Sequence, residues 1–294
     1  PTRRSSVLPS PFAQWCRKLG IPFVRGPLNG GLAWPKEFPD LRKQEGEWLS
    51  YFRSLFRCVP GYRATRDAAS AIIAGGESAY REIPKRWKNK TIYIPENAID
   101  PQRFPPSPKR TAQDYANRPI RAVFLGRLVP YKACDILLEA AAELLREGRM
   151  TLTIIGSGPE EERLRKLVAQ LAIGSAVTFT GELPHQRVAE HLVGADILTF
   201  PSIHEFGGAV VLEAMTMGVV PVIADYGGPA ELASPQCAFL VPLKERAPDI
   251  ATNTTALHGS MGDPTCHLTP LHTTRYAAVH TFTYAPKRTT LVPV

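Results

Sequence analysis

The chain has 294 residues, 44% hydrophobic and 21% charged, enough for two domains and ordinary in composition for a globular protein. No apolar run approaches the roughly eighteen residues of a membrane-spanning helix, and no charged, apolar and small-residue leader follows Pro1, so none is predicted. Its net charge of +8 is uneven: residues 1–116 hold 20 Lys and Arg against 10 Asp and Glu, and residues 117–294 hold 15 against 17. The cations of the first part stand singly among Trp, Phe and Pro. A dispersed solvated face and a membrane- or polyphosphate-facing one both fit them, whereas nucleic-acid binding has no motif behind it. The five cysteines are scattered and without a CxxC, which predicts reduced thiols in a cytoplasmic protein.

In chain order, residues 1–116 are rich in Pro and aromatics and contain short apolar pieces at 21–24, 71–74 and 91–94. The last two read as short buried strands. Between 45 and 57, Trp48, Leu49, Phe52, Leu55 and Phe56 have helical spacing and read as core. Residues 121–243 are the clearest part. Strand patterns at 121–125, 151–155, 176–179, 197–200 and 219–224 alternate with helical ones at 133–146, 160–171, 185–193 and 209–217. That alternation predicts right-handed βαβ units and a parallel sheet with helices on both faces. Ligands of such sheets bind at the carboxyl ends of the strands, where strand order reverses, so the loops there carry the chemistry. Residues 247–294 gain Thr, His and Pro and lose apolar periodicity. They predict a poorly packed tail, with Phe282–Tyr284 and Lys287 as its one ordered hint.

Four loops stand out. After the first of those strands, Gly126-Arg127-Leu128-Val129-Pro130-Tyr131-Lys132 places two cations ahead of a helix. An Arg fork and a Lys point charge beside a helix N-terminus suit a diphosphate, although a solvated loop accounts for them equally. After the second, Gly156-Ser157-Gly158-Pro159 lacks the third glycine of a dinucleotide fingerprint, and a tight turn explains it better than NAD binding. Pro159 suits the first turn of the next helix. After the fourth come Glu205, Gly207 and Gly208, then Ala209 and a helix carrying Glu213. The glycines let backbone amides approach a ligand. Eight helical steps turn through about 800°, so the two carboxylates are expected within a quarter-turn of each other. Glu213 on an apolar helix needs a partner, either a core Arg or the hydroxyls of a ribose. The loop after the fifth strand, Asp225 to Glu231 with Gly227-Gly228-Pro229, is placed on the same rim.

Taken together, the Gly-Arg-Leu…Lys loop, the Gly-Ser-Gly-Pro turn, Glu205-x7-Glu213 within EFGGAVVLEAM and GGPAE at 227–231 resemble the group-1 family of retaining GT-B glycosyltransferases. IPENAID at 94–100 is similar to that family's interdomain linker, and GPLNGG at 26–31 resembles an acceptor-domain loop of some members. The resemblance implies an α/β fold of GT-B type. Residues 1–116 would be a truncated N-terminal acceptor-side domain and linker, residues 117–246 a Rossmann-like C-terminal donor domain, and residues 247–294 an irregular tail. It also implies an enzyme that moves a sugar from a nucleoside-diphosphate sugar to a glycan or lipid-linked saccharide with the anomeric configuration kept. Arg127, Lys132 and Glu205 would be catalytic, and Gly126, Gly156, Gly207, Gly208, Ala209 and Glu213 would bind the donor. No metal or other cofactor is expected. The location would be cytoplasmic, with peripheral association at the inner membrane face. Ala133 stands where the family has Gly, and the short first part and patternless tail make a catalytically inactive fragment the rival reading.

Overall fold

The computed structural model describes residues 11–29, 32–36, 38–45, 58–105 and 118–243. The helical pattern at 45–57 and the tail at 247–294 lie outside these residues, apart from Glu45. The first described part holds α1 (Pro11–Lys18), β1 (Val24–Leu28), α2 (Pro39–Gln44), α3 (Tyr62–Ala68), β2 (Ala71–Ala74), α4 (Glu77–Arg81), α5 (Lys85–Lys88) and β3 (Thr91–Tyr93). The second holds β4 (Ile120–Leu125), α6 (Cys134–Arg146), β5 (Met150–Ile155), α7 (Glu161–Gln170), β6 (Val177–Gly181), α8 (His185–Gly194), β7 (Ile197–Phe200), α9 (Ala209–Thr216), β8 (Val220–Ala224), α10 (Gly227–Leu232) and β9 (Phe239–Val241). A short 3-10 turn at Pro130–Lys132 precedes α6.

The strands form two parallel sheets, one in the order β1-β2-β3 and one in the order β6-β5-β4-β7-β8-β9. The second is a doubly wound order with its reversal between β4 and β7. Side chains that alternate along a strand serve two cores. Ala122 and Phe124 join α6 and α7 through Leu137, Leu138 and Leu164, whereas Val123 joins α8 and α9 through Val188, Leu192 and Val211. The helices that follow β4 and β7, α6 and α9, therefore pack on opposite faces of the sheet. Asp196, fully buried ahead of β7, holds Arg118 at 2.7 and 2.9 Å and the Arg121 amide at 2.8 Å. Burial alone would raise its pKa, but these donors outweigh burial and keep the carboxyl below its ordinary value.

Three sequence readings need correction. The stretch at 91–94 is a strand but is not buried, since Ile92 and Tyr93 are exposed and β3 pairs only with β2 among the described residues. Pro159 lies in a turn two residues before α7 rather than in its first turn. Glu205 lies outside α9, which begins at Ala209, so helical phase does not relate it to Glu213.

Candidate active site

The loop after β4 is laced to the loop after β5. The Leu128 amide donates to the Ser157 carbonyl at 2.9 Å and the Glu160 amide to the Leu128 carbonyl at 3.1 Å. Gly156, at φ +133°, leaves no room for a side chain: a Cβ there would stand 2.0 Å from the Gly126 carbonyl oxygen. Gly156 thus serves the tight packing of the two loops, its backbone lying against the Gly126 carbonyl. Leu128 is buried beneath them, and Arg127 is exposed on the same loop and enters no ion pair with the other site residues. The 3-10 turn brings the Lys132 side chain inward to 11% exposure, with Nζ 4.7 Å from the Phe200 ring centroid. Ala133 adopts the left-handed conformation, φ +52°, as the helix opens. That backbone requirement is the physical reason a glycine suits the position.

The loop after β7 meets the β4 loop directly. The Ile203 amide donates to the Tyr131 carbonyl at 2.8 Å, and Lys132 Nζ makes an ion pair with Glu205 Oε2. The Gly208 amide approaches Glu205 Oε1 at 3.4 Å, just ahead of Ala209 at the start of α9. Behind this loop, a Cβ on Gly228 would stand 1.9 Å from the Phe206 carbonyl oxygen, so the start of α10 lies directly against it. The loop is also held from the first sheet's side. Asn97 Nδ2 donates to the Gly207 carbonyl at 2.6 Å, His204 stacks on Trp34 at 4.2 Å, and Tyr226 Oη donates to the Ala33 carbonyl. Glu231 accepts from the amides of Glu77 at 2.6 Å and Ser78 at 3.1 Å.

Glu213 sits on α9 with its side chain 12% exposed and His185 Nε2 at 3.3 Å. Burial pushes its carboxyl above the usual carboxylate range, and His185 and Arg103 oppose this only in part. Its protein partner is therefore a histidine at the start of α8 rather than a core arginine.

Of the residues singled out from sequence, Lys132 and Glu205 are in contact, with Gly207, Gly208 and Ala209 beside them. Gly126 and Gly156 form the adjoining loop-to-loop contact, Arg127 is exposed above it, and Glu213 is turned toward His185. Sequence reasoning missed His185, Trp34 and His204. Nothing along the chain marks His185 except its place at a helix start, because its partner is far away in sequence.

Residues 109–252 match the model of glycosyl transferases group 1. The chain is 32% identical over 178 residues to D-inositol 3-phosphate glycosyltransferase 2 of Catenulispora acidiphila, covering 55% of this chain and 42% of that protein. It is 33% identical over 136 residues to alpha-D-kanosaminyltransferase of Streptomyces kanamyceticus, covering 46% and 35%. The matched stretch thus spans less than half the length of these relatives. Among solved structures, HepE of Anabaena in complex with UDP and glucose matches with a TM-score of 0.57 at 17% identity, over 91% of this chain and 69% of that one. WaaG, a glycosyltransferase involved in lipopolysaccharide biosynthesis, matches with a TM-score of 0.58 at 17% identity, over 91% and 76%. These likenesses show a GT-B fold.

Proposed function

Residues 109–252 belong to the group 1 glycosyl transferases, and from that premise we propose that the chain serves transfer of a sugar from a nucleoside-diphosphate sugar to a glycan or lipid-linked saccharide. The observation that carries the reading is the Lys132–Glu205 ion pair, which joins the loops after β4 and β7 at the reversal of strand order. Residues 117–246 act as the donor domain and residues 1–116 contribute the acceptor side.

In this reading the donor diphosphate lies over the β4 loop. Lys132, already drawn inward, and Arg127, exposed and in no ion pair among the described residues, neutralise charge as the C1–O bond breaks and its electron pair leaves with the diphosphate. The acceptor hydroxyl forms the new bond to C1 on the face the diphosphate leaves, and its proton passes to the departing phosphate oxygen. The anomeric configuration is kept with no protein nucleophile and no metal. Glu205 faces the donor sugar, the amides of Gly208 and Ala209 bind its hydroxyls or a phosphate oxygen, and Glu213 takes the ribose hydroxyls. That HepE, which shares the fold, is in complex with UDP and glucose supports a nucleotide-sugar donor.

The setting is cytoplasmic, with the acceptor side against a membrane. Exposed Phe12, Trp15, Leu19 and Ile21 beside Arg17 and Lys18 support that placement. Among the described residues, no helix is long and apolar enough to cross a membrane.

The test is thermal unfolding of the chain with millimolar uridine or guanosine diphosphate. Binding to the native state raises Tm, by about 2.7 kcal/mol of added stability at a hundred times Kd. Lys132→Ala is expected to remove most of that shift. The absence of a shift with either nucleotide would favour the inactive fragment.

A further inference from the structure

The Glu213 carboxylate is held from outside its own helix. His185, the first residue of α8, places Nε2 at 3.3 Å from Glu213 Oε1, and its other ring nitrogen, Nδ1, lies 3.3 Å from an Arg103 guanidinium nitrogen. A guanidinium only donates hydrogen bonds, so Nδ1 must accept and the ring proton of neutral His185 sits on Nε2, pointing at the carboxylate. The ring meets the edge of Phe104 at 5.6 Å and 84°, and Phe104 is 2% exposed within the core shared by α8 and α9. Arg103 is itself fixed by its amide, which donates to the Asp100 carbonyl at 3.1 Å. The second carboxylate oxygen, Oε2, makes no hydrogen bond or ion pair to protein among the described residues, and Arg103 acts on the carboxylate only through space.

We infer that His185 is a positioning residue for the nucleotide's ribose: its Nε2–H anchors one oxygen of Glu213 and leaves the other for the two vicinal ribose hydroxyls. The inference rests on the reading of Glu213 as the ribose acceptor and adds the group that orients it. A carboxylate swinging freely meets one hydroxyl about as well as another. One pinned by a hydrogen bond meets both together, and that pre-organisation is what distinguishes ribose from deoxyribose. The segment 100–104 that precedes the second sheet takes part through Arg103, so donor recognition is tied to the connection between the sheets.

The experiment is calorimetric titration of the full chain with uridine diphosphate and 2′-deoxyuridine diphosphate, with the guanosine pair as a second series. The readout is the ratio of the two Kd values. His185→Ala is expected to lower that ratio about tenfold, equivalent to about 1.4 kcal/mol, while the Kd for the deoxy form stays within about twofold. His185→Gln, which keeps an N–H donor, is expected to recover part of the ratio. A merely structural histidine would weaken both nucleotides together. A ratio unchanged in His185→Ala but lost in Glu213→Ala overturns the inference and leaves the ribose reading standing. A ratio unchanged in Glu213→Ala overturns the ribose reading and the inference with it.

Discussion

The two sheets are built by the same rule and end in different conditions. In the six-stranded sheet, residues of alternating direction enter two cores, and Leu138, Phe124, Ile154 and Leu198 are fully buried. In the three-stranded sheet, one compact cluster around Ile72, Ala74 and Trp87 is buried, while Val24, Ile92 and Tyr93 stay exposed. A parallel sheet gains its stability from cover on both faces. The six-stranded unit therefore supplies a rigid rim, and the three-stranded unit leans on that rim through Glu231, Asn97, Tyr226 and the Trp34–His204 stack.

That contrast is most sharply tested by deleting core volume. Leu138→Ala is expected to cost about 2–5 kcal/mol, because it opens a cavity under β4 and β5. Ile92→Ala, at an exposed position, should stay within about 0.5 kcal/mol. Denaturant unfolding of the two variants measures the difference, and equal effects would remove the distinction between the sheets.

A smaller effect is expected where the units meet. Glu231→Ala leaves the Glu77 and Ser78 amides without their acceptor, at about 1–3 kcal/mol for buried donors and less here, where water reaches part of the contact. Hydrogen exchange should quicken at β2 and α4 and stay unchanged at β4 and β5. Uniform quickening would mean that the two sheets unfold as one unit.

The smallest effect concerns Glu213. Its folded pKa is raised above the unfolded value, so the fold favours the neutral carboxyl. Ionisation then costs stability as pH rises from the ordinary carboxylate value, about 4.3, through the folded one. Glu213→Gln is expected to raise Tm at pH 7, an advantage that disappears once the pH falls below the ordinary carboxylate value. The same variant should weaken nucleotide binding, and melting curves at the two pH values with and without uridine diphosphate check both.

Local chemistry along the chain was enough to specify most of the second sheet. Strand patterns at 121–125 and 197–200 and helical patterns at 133–146 and 209–217 stand within a residue or two of β4, β7, α6 and α9. Apolar periods of two and of 3.6 carry that information locally, and the Gly and Pro punctuation separates the elements. β9, only three residues long, was too short to show a period, and β1 was hidden by its own Gly26 and Pro27. The candidate site divides in the same way. Which loops bear cations, carboxylates and glycines is legible in the residues themselves. That Lys132 turns to Glu205, that Glu213 turns to His185, and that Glu231 reaches across to α4 follow from the strand order and the approach of the two sheets. Partners of that kind lie 28 to 154 positions apart, and no local pattern encodes a meeting that only packing brings about.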